Sequence, residues 1–173
     1  MENCESLLLS CKETPYPELN SIKPNKQYAA MISRNLAGRD SELTTLNQYI
    51  YQHWILNKKY PNMAQTLKKI AIVEMHHFNI FGQMMAMLNQ TPRLIARYPS
   101  RKIPWNGTMI NYEKNLRKLL IINMQSEKQA IKTYLSQAKR INNTSIQNML
   151  HRIVEDEQLH LKIFECYLKC FNQ

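Results

Sequence analysis

Glycine is almost missing from this chain, at three residues in 173. So few of the residues that relieve tight turns and left-handed backbone argue against a sandwich or barrel of short strands and for long helices. No apolar run approaches the ~20 residues needed to cross a bilayer, so no membrane partner is expected. No basic segment precedes the short run Leu7, Leu8, Leu9, as a secretory signal would require, and a cytoplasmic protein is expected. The four cysteines, at 4, 11, 166 and 170, form no C-x-x-C, which excludes the usual cysteine-held iron site and the dithiol redox motif. They are expected as ordinary reduced thiols. Acidic residues are also in short supply, 13 against 23 Lys and Arg, for a formal net charge of +10. The basic residues are scattered, as in Lys58 and Lys59, Lys68 and Lys69, Arg117 and Lys118. No compact basic run exists, so solvated helix faces rather than a nucleic-acid surface are expected. Such a charge can still attract small anions or an acidic redox partner.

What remains is a chain rich in Leu, Ile, Met, Lys, Gln and Asn, long enough to bury one core. Residues 1–26 hold Pro15, Pro17 and Pro24 with little period and read as an irregular N-terminal strap, leaving 27–173 as the bundle. Helical spacing begins near Lys26 and is interrupted near Gly38, Arg39 and Asp40. Asp40 or Ser41 can cap a first long helix, which runs to about residue 57, with Glu42 in its first turn. Pro61 suits the start of a second helix, to about residue 89. Pro92, Pro99, Pro104 and Gly107 mark a long connection. A third helix is predicted from about residue 109 to 141, and a fourth from about 144 to 171. Loops that run short, long, short fit an all-α antiparallel four-helix bundle with one long crossover.

The two halves echo each other. Ser41 and Glu42 are followed by Tyr49, and Ser126 and Glu127 by Tyr134, giving S-E-x6-Y twice. Glu74, His77, Ile80 and Phe81 match Glu157, His160, Ile163 and Phe164 as E-x-x-H-x-x-I-F. The paired glutamates stand 32 residues apart in the first half and 30 in the second. Residues three apart share a helix face, so the Glu and His of each E-x-x-H can reach one metal ion. Four buried carboxylates without partners would be too costly to desolvate, whereas two divalent cations with neutral imidazoles cancel them. Ile72, Val73, Phe78, Ile153, Val154 and Leu159 around these acids argue against a surface location. Glu42, Glu74, His77, Glu127, Glu157 and His160 are therefore the predicted metal ligands and catalytic residues. Tyr49 and Tyr134, two turns beyond Glu42 and Glu127, either donate hydrogen bonds to ligand carboxylates or pack with incidental hydroxyls.

Neighbouring residues read differently. His76 lies on another azimuth, His53 sits about 16 Å along the helix from Glu42, and His151 is off the ligand face. Glu155 and Asp156 are expected to be solvated, and Met84, Met85 and Met87 to fill the core.

At these residues the chain resembles the ferritin-like superfamily, within its branch of rubrerythrin, bacterioferritin and manganese catalase. The resemblance covers about residues 26–171. It implies a dinuclear centre of two Fe or two Mn ions, with Glu42 and Glu127 as terminal ligands, Glu74 and Glu157 as bridges, and one histidine per metal. Rubrerythrins typically add a second carboxylate three residues after the third-helix ligand, where this chain has Ala130. They often carry a rubredoxin domain, so electrons would come here from a separate donor protein. Cage-forming ferritins add a short fifth helix after the last ligand helix, which makes a storage shell unexpected. The resemblance implies a redox enzyme acting on hydrogen peroxide, as a catalase or peroxidase. Two other readings stand beside it, a ferroxidase that handles iron with O2 and a non-catalytic coat-type bundle. A homodimer is expected from the frequency of two-fold assemblies.

Overall fold

The computed structural model describes residues 10–98 and 100–171. Five helices carry the fold: α1 (Lys26–Leu36), α2 (Glu42–Leu56), α3 (Pro61–Met87), α4 (Leu116–Arg140) and α5 (Thr144–Phe171). Two hairpins, α2 with α3 and α4 with α5, make the antiparallel bundle, and α1 packs chiefly on α3. The interruption at residues 37–41 separates α1 from α2 as a helix of its own. It is needed because α2 spans only part of the bundle's length, and α1 supplies Ile32 and Leu36 to the end that α2 does not reach.

Helix ends follow local chemistry. The Asn25 side chain accepts from the Gln27 and Tyr28 N–H groups and starts α1. Ser41 takes the cap position of α2 but donates its hydroxyl to the Gly38 carbonyl, so it makes no side-chain cap. Pro61 opens α3, and Asn89, at φ 57°, ends it in the left-handed conformation that Asn tolerates. The crossover is more ordered than its prolines suggest: β1 (Ile95–Arg97) and β2 (Lys102–Pro104) pair antiparallel, and a single 3-10 turn follows. From there Trp105 donates to Thr44 on α2 at 2.8 Å. The start of α4 is a correction, at Leu116 rather than near residue 109. Side chains capture the backbone first: Asn111 accepts from the Glu113 N–H, and Glu113 accepts from the N–H groups of Lys114 and Asn115.

The core forms two apolar clusters. One gathers Ile32, Leu36, Phe81, Tyr134, Ile146 and Ile153, and the other Tyr49, Leu67, Leu119, Ile163 and Phe164. Between them lies a polar layer at mid-height of α3, α4 and α5, level with the start of α2. The thiol expectation fails at Cys166, which is disulfide-bonded. Sequence spacing alone could not show that pairing, because a disulfide is set by folded proximity; Cys4 lies outside the described residues. No helix among them is long and apolar enough to cross a membrane.

Candidate metal centre

Each of the four long helices delivers its acids to the same layer. Glu42 arrives from the first turn of α2, where the helix N-terminus favours a negative charge. Glu74 and His77 come from the middle of α3, Glu127 from α4, and Glu157 and His160 from α5. None of the six exposes more than 2% of its surface. Ligand atoms fall into two groups whose members lie within 4.8 Å of one another: Glu42, Glu74, His77 and Glu157, and Glu74, Glu127, Glu157 and His160. Glu74 and Glu157 belong to both groups and separate the two histidines, whose ring centroids stand 6.4 Å apart.

The geometry around the imidazoles fits a pair of cations. His77 Nδ1 stands 3.2 Å from an oxygen of Glu74 and 3.2 Å from one of Glu157. His160 Nδ1 lies 3.0 Å from Glu157 and 3.1 Å from Glu74. One N–H cannot serve two acceptors on separate helices well, and Oε1 of both Glu74 and Glu157 is buried without a hydrogen-bond partner among the described residues. The other ring nitrogen of each histidine is taken. His160 Nε2 meets the Ser10 carbonyl at 2.7 Å, and His77 Nε2 meets the Asp156 carboxylate at 3.2 Å. Carbonyls and carboxylates accept, so these nitrogens donate, and in its neutral form each ring would turn a bare Nδ1 toward carboxylate oxygens. A cation between them resolves that opposition.

Charge in the metal-free layer is balanced only by shifting protons. Burial, then the charges of Glu74 and Glu157, push the carboxyls of Glu42 and Glu127 well above their ordinary range. For Glu74 the burial effect is outweighed by His160 and His77, which hold it well below that range. Both histidines are raised, because Glu157 and Asp156 around His77, and Glu74 and Glu157 around His160, overcome burial.

The two tyrosines work crosswise. Tyr49 of α2 donates to Glu127 of α4, and Tyr134 of α4 donates to Glu42 of α2. Burial, then the facing glutamate, raises both phenols well above their ordinary value, so each keeps its proton and remains a donor. A second buried network, Gln48 and Gln52 on Asn123, ties α2 to α4 beside the centre.

Asp156 is the largest departure from the sequence reading. Expected in solvent, it is fully buried, with Oδ2 receiving Arg152 at 2.7 Å, Tyr16 at 2.5 Å and His77. Those hydrogen bonds overcome burial and hold its carboxyl well below the ordinary range. The remaining histidines stay out: His53 bonds the Ala64 carbonyl, exposed His76 packs its edge on Tyr16 at 4.5 Å, and His151 is exposed. On the α2 and α4 side a cavity of about 30 Å³ reaches Glu42 and Glu127, bordered by Ser41, Thr44, Thr45, Ser126 and Ala130.

The pattern of residues 38–168 matches the rubrerythrin family model. The chain belongs to the rubrerythrin family. A bacterioferritin of Desulfovibrio desulfuricans is 26% identical to this rubrerythrin-family chain over 128 residues, 73% of this chain and 68% of that protein. In fold, a manganese catalase from Anabaena superposes with a TM-score of 0.80 over 93% of this chain and 80% of its own, at 19% identity. The solved Desulfovibrio desulfuricans bacterioferritin, described with a diiron site, gives 0.68 over 83% and 78%, at 23% identity. The ferritin-like bundle is thus shared across these proteins, and the rubrerythrin-family pattern spans all six converging residues.

Proposed function

We propose that this rubrerythrin-family protein is a redox enzyme that binds two Fe or two Mn ions and decomposes or reduces hydrogen peroxide. Glu42, Glu74, His77 and Glu157 would hold one ion and Glu74, Glu127, Glu157 and His160 the other, with Glu74 and Glu157 shared. When bound, such a pair supplies two electrons together, which cleaves an O–O bond without releasing a radical. The observation that carries the peroxide reading is the cavity at Glu42 and Glu127. Its volume of about 30 Å³ suits one or two water-sized molecules. Its hydroxyl and carboxylate walls can hydrogen-bond hydrogen peroxide, whereas O2 gains little from them.

The chain's own residues then have defined tasks. Ser41, Thr44 and Ser126 orient the small polar substrate. The Glu42 and Glu127 carboxyls take up or release protons at the oxygen that Tyr134 or Tyr49 does not bind. The apolar clusters above and below keep bulk water from the layer. Ala130, at the cavity wall, leaves no second carboxylate on α4 to change places with Glu127. A cycle closed by a second peroxide needs no partner, whereas one closed by reduction needs a separate electron-donor protein. The assembly is proposed as a homodimer.

The bacterioferritin relative supports a second reading, oxidation of iron by O2. One experiment separates the two: protein loaded with Fe or with Mn is given peroxide or O2 under an oxygen electrode. Rapid peroxide loss, with O2 release or with oxidation of an added donor, supports the first. O2 uptake on Fe(II) addition with no peroxide turnover by either metal form overturns it in favour of the second.

A further inference from the structure

The N-terminal segment runs as an irregular strap across α5 and α3, and its contacts with the histidines are specific. Arg152 of α5, itself buried, grips the strap with Nε on the Thr14 carbonyl at 2.6 Å and Nη2 on the Lys12 carbonyl at 2.8 Å. Its guanidinium also lies over the Tyr16 ring, 4.2 Å from the centroid. Asp156, one turn on, receives the Lys12 N–H at 2.6 Å and the Tyr16 hydroxyl at 2.5 Å. Because that hydroxyl spends its single proton on Asp156, it can only accept from His77 Nε2, 3.1 Å away. Beyond this latch the strap places the Ser10 carbonyl on His160 Nε2.

We propose that residues 10–16 are a structural part of the metal centre. Tyr16 and the Ser10 carbonyl act as positioning groups that fix the tautomer and ring plane of His77 and His160, and Arg152 latches them in place. The proposal rests on reading the six converging side chains as metal ligands. With Nε2 of both rings committed to the strap and to Asp156, Nδ1 is the only nitrogen left to ligate, and it is pre-aimed at Glu74 and Glu157. Groups that orient a ligating histidine in this way commonly change metal affinity about 10- to 100-fold when removed.

The division of labour is uneven, and the test uses that. Tyr16 touches only the His77 side, whereas Arg152 holds the carbonyls on both sides of Glu13 and so the path to Ser10. Full-length wild type, Tyr16→Phe, Arg152→Gln and the exposed-residue control Glu13→Gln are loaded with Mn or Fe, and ion release to excess chelator is followed by stopped flow. Tyr16→Phe keeps the aromatic ring and loses the hydrogen bond to Asp156, so its metal-free thermal midpoint should fall by about 2–4 °C while release becomes biphasic. One ion should leave about tenfold faster or more, and the other at the wild-type rate. Arg152→Gln should speed both ions, and Glu13→Gln neither. Wild type that holds two ions, with wild-type release from both Tyr16→Phe and Arg152→Gln, overturns the strap's role and leaves the ligand assignment standing. Wild type that takes up no metal overturns the ligand assignment and the strap's role with it.

Discussion

Replacing Tyr134 with phenylalanine removes one hydroxyl and leaves a ring of nearly the same volume against Phe81, 5.3 Å away between centroids. What is lost is the hydrogen bond to Glu42, buried at both ends. A hydrogen bond to a charged group contributes about 1.5–3 kcal/mol. The loss falls mainly on the metal-loaded state, because Glu42 must be a carboxylate there. In the metal-free protein burial keeps Glu42 protonated further up the pH scale, and a neutral carboxyl misses its donor less. Metal affinity at the Glu42 ion should therefore fall roughly 10- to 100-fold. The thermal midpoint of the metal-free protein should drop only by about 2–4 °C for each ~1 kcal/mol of packing or polar loss. Competition with a chelator of known affinity, alongside thermal unfolding with and without metal, reads both quantities. Tyr49→Phe should repeat the result at the Glu127 ion. Unchanged affinity in Tyr134→Phe, with the whole effect in metal-free stability, would refute the reasoning and make the tyrosines packing residues.

Glu74→Gln should abolish binding of both ions, because that carboxylate belongs to both ligand groups, whereas Glu42→Gln should leave about one; elemental analysis after reconstitution distinguishes them. Chelator-stripped protein should lose stability as pH rises. Glu42 and Glu127 are raised above their ordinary 4.5, and His77 and His160 above 6.5, so the folded state binds more protons than the unfolded one. That contribution is full at low pH and disappears as pH climbs through the raised values. The lowered Glu74 and Asp156 act oppositely and only at the acid end. Metal-loaded protein should instead gain stability over about pH 5 to 8, since ions compete better as protons leave; parallel thermal scans check the sign. Phe164→Ala should cost about 3–5 kcal/mol by denaturant unfolding, because its fully buried ring also packs Tyr49, 5.5 Å away.

The convergence of the six side chains was legible because helical periodicity converts spacing into position. Steps of three residues from Glu to His, and of seven from Glu to Tyr, are local relations that survive folding unchanged. Tyr49 and Tyr134 were legible as to face but not partner, since each bonds the glutamate of the opposite half. Asp156 was misread for the converse reason. One residue before Glu157 it points about 100° away around α5, a face that reads as solvent until the strap is laid on it. That cover comes from 140 residues away at Tyr16, and part of it is backbone, which no side-chain motif records. The late start of α4 escaped for a nearer cause. Met109 and Ile110 keep the apolar look of a helix, while Asn111 and Glu113 draw off its first N–H groups.

Metal stoichiometry tests the central claim most directly. Protein purified without chelator, or reconstituted anaerobically with Fe(II) or Mn(II), is analysed for metal per chain beside a Glu74→Gln, His160→Ala double variant. Close to two ions per wild-type chain, and none retained by the variant, is the expected result. Wild type that stays substoichiometric in both metals, or a variant that binds as much as wild type, would contradict it.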